Sequence, residues 1–338
     1  MTVLIWGAGA IGGTIGAYLA RAGENVLFVD VVGAHVDAIN ESGLTVEGPI
    51  ETFTVKGKAV LPDALEGTFE RVWLATKAQD THAAAMAIAP HLSATGHILS
   101  LQNGLTELIV ADVVGRERTL GAFINFGADY MAPGRILYGG RGACVVGELT
   151  GETTARLDDT LARLKLFDPG AAATDDIWGF LWGKLGYGAL LFATALTNDS
   201  IADVLGSPAH WPVLTMLARE MTEAAHQAGT RPRGFNGYDP AAFRAGADPA
   251  TSFQAMAAHN GKSAKTHSGI WRDLAVRKRR TEVDPLITKA VEIGAQHGLP
   301  MPLTRRLVEM IQEIERGERA MDARNLAVLA AAMEEAKA

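Results

Sequence analysis

The sequence predicts two domains of different class. Residues 1–172 read as an α/β Rossmann domain, doubly wound around a mostly parallel sheet, and residues 173–338 as an all-α domain. Three observations predict this. Short β-branched runs alternate with helical spacing through the first half. A G-x-G-x-x-G pattern stands between the first such run and the first helix. From about Asp175 the strand-like runs stop, and apolar residues recur with helical spacing.

TVLIW (2–6) is the first strand, and AIGGTIGAYLARAG (10–23) is a helix ending at Gly23. NVLFVD (25–30) is the second strand. RVWLAT (71–76) and GHILSL (96–101) are further buried strands, with DTHAAAMAIAPHL (80–92) between them as a helix. Residues 118–148 change rhythm to short strands with Gly and Pro-Gly turns, as in antiparallel hairpins completing the sheet. The domain boundary is expected near DPGAAATDD (168–176). Beyond it, helices are expected over 175–198, 208–229, 268–280, 283–298, 303–316 and 320–336. The Gly- and Pro-rich stretch within 230–266 reads as a long loop or partly helical excursion.

The composition narrows the function classes. A net charge of −7 argues against a general nucleic-acid or anionic-membrane surface. The single cysteine, Cys144, lies in the apolar run GACVVGE and is expected to pack; its solitude excludes an internal disulfide framework and fits a reducing, cytoplasmic compartment. MTVLIWGAGAIGG has neither the basic start nor the cleavage pattern of a signal peptide. The apolar stretch 175–199 is the one segment long enough to suggest a membrane span, but it carries Lys184 near its midpoint and several glycines, which argue against insertion. His259 and His267 are too far apart for a one-turn metal pair, and no metal is expected.

WGAGAIGG places Gly7, Gly9 and Gly12 in the dinucleotide-binding order, with Ala10 and Ile11 opening the helix between them. The first glycine permits a tight turn, the second lets a diphosphate approach the backbone, and the third lets helix and strand pack closely. The helix N-terminus offers N–H groups and partial positive charge to the phosphates. Asp30 closes the second strand, where a carboxylate accepts from a free ribose 2′-hydroxyl and repels a 2′-phosphate. Val31, Val32 and Gly33 follow it, with no arginine. NAD(H) is therefore expected in preference to NADP(H). Lys77 and Asn103 follow two further strands, at the edge where open α/β sheets bind ligands. Arg277–Arg280 reads as a solvated helix end.

The ordered set GAGAIGG, TKAQD, LQNG, LWGKL, SGIWRD and RRTEVD, closing on GLPMPLTRRLVEMI, resembles the ketopantoate reductase family. The resemblance spans nearly the whole chain. It implies a Rossmann domain joined to a helical one, a cleft site between them, and reduction of a 2-keto group by a nicotinamide coenzyme. It implies Lys184 as the catalytic acid/base, donating to the carbonyl oxygen as hydride reaches carbon. Glu282 would hold the substrate hydroxyl or position Lys184. Asn103 would sit near nicotinamide and substrate, and Lys77 near the coenzyme. Ser268 would reach the substrate carboxylate once a one-residue insertion before Glu282 is allowed. Helical domains of this kind often pair with a twin, so a homodimer is expected.

The chain departs from the family where the lysine helix usually carries two asparagines, one and two turns after the lysine: here stand Gly188 and Phe192. A site that loses two hydrogen-bonding amides loses discrimination for a hydroxylated substrate. A bulkier or more apolar substrate than ketopantoate is expected, with Lys265, His267, Trp271 and Arg272 as candidate contacts; Arg272 is placed to clamp a carboxylate. Asp30 likewise departs from the NADPH-using pathway enzymes. The expected activity is that of an NAD-dependent oxidoreductase acting on a 2-keto or hydroxy acid other than pantoate. The alternatives are a true 2-dehydropantoate 2-reductase, an imine-forming or imine-reducing enzyme of similar architecture, and a non-catalytic NAD(H)-sensing protein. Retention of both Lys184 and Glu282 argues against the sensor.

Overall fold

The computed structural model describes residues 1–262 and 265–335, so positions 263 and 264 of the 230–266 stretch and position 336 of the last expected helix lie outside it. The chain divides into two units, Met1–Ile177 and Trp178–Ala338.

In the first unit, β1 (Val3–Trp6), α1 (Ala10–Arg21), β2 (Val26–Val29) and α2 (Gly33–Ser42) open the fold. Three strands follow, β3 (Leu44–Glu47), β4 (Phe53–Val55) and β5 (Lys58–Val60), then β6 (Phe69–Leu74), α3 (Thr81–Ile88), β7 (Leu92–Ser100), α4 (Thr106–Val114) and β8 (Thr119–Ile124). The unit finishes with β9 (Gly127–Ala132), β10 (Arg135–Gly140), β11 (Cys144–Glu148), α5 (Ala155–Phe167) and β12 (Ala172–Ala173). The main sheet has the order β12-β11-β8-β7-β6-β1-β2-β5. Its pairs from β8 through β5 are parallel, and β11 runs antiparallel to β8.

Both faces of the central strands are apolar, as a sheet covered on two sides requires. Val3 and Ile5 join one hydrophobic cluster with Phe28, Trp73 and Leu99. Leu4 and Trp6, pointing the other way, join a second with Val29, Val72 and Leu74. Cys144 is buried within the first cluster.

The hairpin β9–β10 does not extend the main sheet, as the sequence suggested. It forms a second, four-stranded sheet of order β4-β3-β10-β9 with strands that the sequence left unassigned. Short, half-exposed runs such as FTV of β4, or KAV of β5 at the edge of the main sheet, carry too little periodicity to declare themselves. Tyr18 of α1 meets Phe53, Tyr138 and Phe167 edge-on, with ring centroids 5.1–5.9 Å apart, and so ties the second sheet and α5 to α1.

The second unit is helical. It comprises α6 (Ile177–Thr194, its first residue in the preceding unit), α7 (Ile201–Gly206), α8 (Trp211–Gln227), α9 (Ala250–Gly261), α10 (Gly269–Ala275), α11 (Lys289–Gln296), α12 (Pro302–Glu315) and α13 (Arg324–Glu335). The 230–266 stretch thus contains a full helix, α9. The helix expected over 268–280 stops at Ala275. Asp273 draws the following chain back onto itself, accepting from Arg277 at 2.8 Å and Arg279 at 2.9 Å. The arginine run is therefore a paired return loop, with Lys278 in the left-handed region at φ +50°. The helix expected over 283–298 opens with a π-helical turn, Asp284–Thr288, which Val283 separates from Glu282. Glu220 of α8 caps α12, accepting from the N–H groups of Leu303 and Thr304 and from the Thr304 hydroxyl.

His97 is buried on β7, and burial, helped by Arg156 and Arg71, pushes its pKa from 6.5 down to about 4. The folded state holds the ring neutral while the unfolded chain protonates it below 6.5. The stability tied to His97 is therefore complete above that pH and is lost as pH falls toward about 4. Unfolding should take up roughly one more proton across this window, a loss on the order of 3 kcal/mol. Denaturant titrations at stepped pH should show that slope, and His97→Gln should flatten it.

Candidate active site

In the main sheet β7, β6, β1 and β2 lie side by side, and the loops leaving their C-terminal ends carry the first group of candidate residues. Gly7 ends β1 with φ +97°, a value only glycine adopts freely, and a Cβ there would stand 2.9 Å from the Ala75 carbonyl carbon. A Cβ at Gly12 would stand 2.1 Å from the Gly7 oxygen, so α1 leaves β1 with no room for a methyl group. At Gly9 a Cβ would meet nothing within 4 Å. The backbone there faces open space, at the end of a helix that no side chain caps and whose first turn, from Ala10 and Ile11, holds no acid.

Asp30 follows β2 and is held from two sides. Its Oδ2 accepts from the Ala8 N–H at 2.9 Å and its Oδ1 from the Val32 N–H at 3.0 Å. Each oxygen retains acceptor capacity beyond these bonds. The two residues that follow it, Val31 and Val32, are exposed and uncharged. The open backbone at Gly9, the uncapped helix end and the pinned acid fit the diphosphate and adenosine ribose of a dinucleotide.

Lys77 and Asn103 are both exposed, on the loops after β6 and β7. No sequence pattern marks the residue that joins those loops. Gln102 is buried, and its amide nitrogen lies 3.1 Å from the Thr76 carbonyl and hydroxyl oxygens and 2.9 Å from the Thr81 hydroxyl. Its neighbour Ser100 pairs with Thr106 at 3.0 Å. A polar residue beside the LQNG motif was visible in the sequence, but its partners lie more than twenty residues away.

The second group lies in the helical unit. On α6 the partly exposed positions are Trp178 and a strip formed by Phe180, Lys184, Gly188 and Leu191. Phe192 is 1% exposed and lies off that strip, contrary to the expected single face of 184, 188 and 192. Each four-residue step advances about 40° beyond a full turn, and two steps carry 192 into the core while 191 takes its place. Gly183 and Gly186 are spacers for packing, since a Cβ would lie 1.9 Å from the Arg233 oxygen and 2.4 Å from the Tyr238 hydroxyl. Gly188 differs: a Cβ there meets nothing within 4 Å, one helical turn from Lys184.

Ser268 is buried and caps α10, accepting from the Trp271 N–H at 3.1 Å. His267 is held at both ring nitrogens, Nδ1 against the Thr266 hydroxyl at 2.8 Å and Nε2 on the Asn198 carbonyl at 3.1 Å; its ring lies 4.2 Å from that of Trp271. Arg272 on α10 and Glu282 before the π-helical turn are half-buried, and Lys265 is exposed. Among the described residues no group of three or more His, Cys, Asp or Glu stands where it could hold a metal ion, and no helix is long and apolar enough to cross a membrane.

Two family models match the chain: ketopantoate reductase PanE/ApbA over residues 3–151, and the C-terminal model of the same family over 176–315. A 2-dehydropantoate 2-reductase of Archaeoglobus fulgidus is 28% identical, the match covering 93% of this chain and 98% of the relative. One from Mesorhizobium japonicum is 26% identical over 94% and 99%. Among solved structures, a PanE/ApbA family ketopantoate reductase of Ralstonia eutropha JMP134 superposes with a TM-score of 0.79 at 26% identity, covering 94% of this chain and 99% of that one. D-mandelate dehydrogenase, solved with NADH and anilino(oxo)acetate, shares the fold with a TM-score of 0.82 at 21% identity over 94% and 99%.

The glycine geometry separates two substitutions. Gly12→Ala should cost about 2 kcal/mol or more, because the added methyl overlaps a backbone oxygen. Gly9→Ala should unfold within about 1 kcal/mol of the parent yet bind dinucleotide at least about tenfold more weakly. Chemical denaturation and coenzyme titration of both variants check this.

Proposed function

The chain belongs to the ketopantoate reductase family, oxidoreductases that act on the CH–OH group of a hydroxy acid with a nicotinamide coenzyme as hydride carrier, and we propose that it is an NAD(H)-preferring dehydrogenase for a 2-keto or hydroxy acid other than pantoate. The observation that carries the substrate reading is the open position at Gly188, one turn from Lys184 on the partly exposed strip of α6. An amide at that position would grip a substrate hydroxyl; its absence leaves room for a larger or more apolar group. Asp30 supports the coenzyme reading, because a pinned carboxylate accepts from a 2′-hydroxyl and repels a 2′-phosphate.

Bound coenzyme supplies or takes up the hydride at the substrate carbon. The Lys184 ammonium donates a proton to the carbonyl oxygen as that carbon is reduced, and its neutral form takes the proton back in the oxidation. Glu282 holds the substrate hydroxyl or orients Lys184, Asn103 approaches the reacting end, and Lys77 the coenzyme. Arg272 and His267 contact the acid, with Ser268 at its carboxylate. The enzyme works as a homodimer in the cytoplasm. D-mandelate dehydrogenase, with NADH and an aromatic oxo acid, is a precedent within the fold.

A second reading, a true 2-dehydropantoate 2-reductase, is favoured by the activity for which the curated relatives are named. A panel at 340 nm separates the two. It crosses NADH and NADPH with ketopantoate and larger keto acids, then NAD with the matching hydroxy acids. NADH turnover on a larger acid with little on ketopantoate supports the first reading; efficient NADPH-dependent reduction of ketopantoate replaces it with the second.

Three variants sharpen the test. Lys184→Ala should lower kcat by at least about a hundredfold, and an unchanged kcat would remove its role. Asp30→Ala should narrow the preference for NAD(H). Gly188→Asn, whose Cβ has space, should raise kcat/KM for ketopantoate by about tenfold.

A further inference from the structure

Ala8 lies between the first two glycines of the turn, and both its backbone polar groups are taken. Its N–H donates to Asp30 Oδ2, and its carbonyl lies 2.9 Å from Nε2 of His35 on α2. His35 is 0% exposed. Its other ring nitrogen, Nδ1, accepts from the Gly134 N–H at 2.9 Å. A backbone N–H can only donate, so Nδ1 bears the lone pair and the ring's single proton is on Nε2. His35 is thus a neutral imidazole donating to the Ala8 carbonyl. The rest of its cage comes from the second sheet. Gly134 turns the β9–β10 hairpin at φ +72°, and its own carbonyl accepts from Thr45 of β3 at 2.8 Å. Tyr130 of β9 meets the imidazole edge-on at 5.1 Å.

The consequence follows from peptide geometry. The Ala8 carbonyl and the Gly9 N–H belong to one planar trans unit and point in opposite directions. A donor that holds the carbonyl therefore turns the Gly9 N–H the opposite way, away from His35, at a residue where an added Cβ would meet nothing within 4 Å. Rotated the other way, the same unit would present a carbonyl oxygen to a diphosphate and repel it. We propose that His35 is a positioning residue for the dinucleotide: it locks the 8–9 peptide in the phosphate-accepting orientation and couples that turn to the hairpin of the second sheet. This rests on the reading that the glycine turn and Asp30 hold NAD(H).

The test uses side chains that copy one ring nitrogen each. Gln reaches the position of Nε2 and keeps the donor to Ala8; Asn reaches only the position of Nδ1 and loses it. His35→Asn should raise the NADH dissociation constant, read by fluorescence titration, about tenfold, the worth of one hydrogen bond. Its kcat at saturating coenzyme should stay within about twofold of the parent. His35→Gln should restore most of the affinity. A folded His35→Asn protein that binds NADH as tightly as the parent overturns the proposal, as does a Gln variant no better than Asn. Should the Asn variant not fold, ¹⁵N spectra of the parent's histidines decide: an Nε2–H neutral ring whose shift moves on NADH binding is expected, and an Nδ1–H ring or an imidazolium overturns it. A parent that binds NADPH in preference to NADH would instead sink the reading of Asp30, and the His35 comparison is then run with NADPH.

Discussion

The molecule's chemistry depends on a contact that leaves no room for one methyl group. Where β1 passes into α1, the position of a Cβ on Gly12 falls 2.1 Å from the Gly7 oxygen, and Gly7 is itself pressed against the Ala75–Thr76 peptide. Helix, turn and neighbouring strand therefore have one relative arrangement. The turn's first two N–H groups are held within the fold, Gly7 donating to the Val29 carbonyl and Ala8 to Asp30, and α1's uncapped end is brought to the sheet edge where Asp30 stands. Close packing of backbone on backbone positions the donors here more rigidly than side chains could.

Around this contact, polar side chains do what the apolar core cannot. The two hydrophobic clusters set the sheet's position between its helices but impose nothing on loops beyond the strand ends. Those loops are held by buried amides and imidazoles with several partners each. Gln102 bridges the loops after β6 and β7, and His35 bridges the glycine turn and the second sheet. Such groups are costly to bury and cannot be left half-satisfied, so each admits few alternative loop conformations.

Local signals explain what could be read from the sequence. The strands β1, β2, β6 and β7, the helix α1 and the helical texture of the second half announce themselves by periodicity, and the glycine pattern by its spacing. What was missed is non-local. The sheet to which β9 and β10 belong is decided by pairing with β3, about ninety residues earlier. α10 ends early because Asp273 recruits two arginines beyond it. Phe192 leaves the face of Lys184 because 3.6 residues per turn accumulates over two turns. The partners of Gln102 and His35 are brought near by the fold and by nothing in the adjacent sequence.

The glycines of α6 show how one residue type serves two ends on one helix. At 183 and 186 the missing Cβ is filled from outside, by the Arg233 backbone and the Tyr238 hydroxyl, and the 231–238 segment can lie against the helix for that reason. At 188 nothing fills it. Glycine within a helix costs about 0.5–1 kcal/mol relative to alanine, and packing offsets that cost only where a neighbour needs the space. Gly188 has no such neighbour, yet it stands on the partly exposed strip of an otherwise buried helix, one turn from Lys184. Stability alone would favour alanine there. The space at Gly188 is thus the feature of α6 that packing leaves unexplained, and it is this space, beside the acid/base candidate, that the proposed larger substrate would occupy.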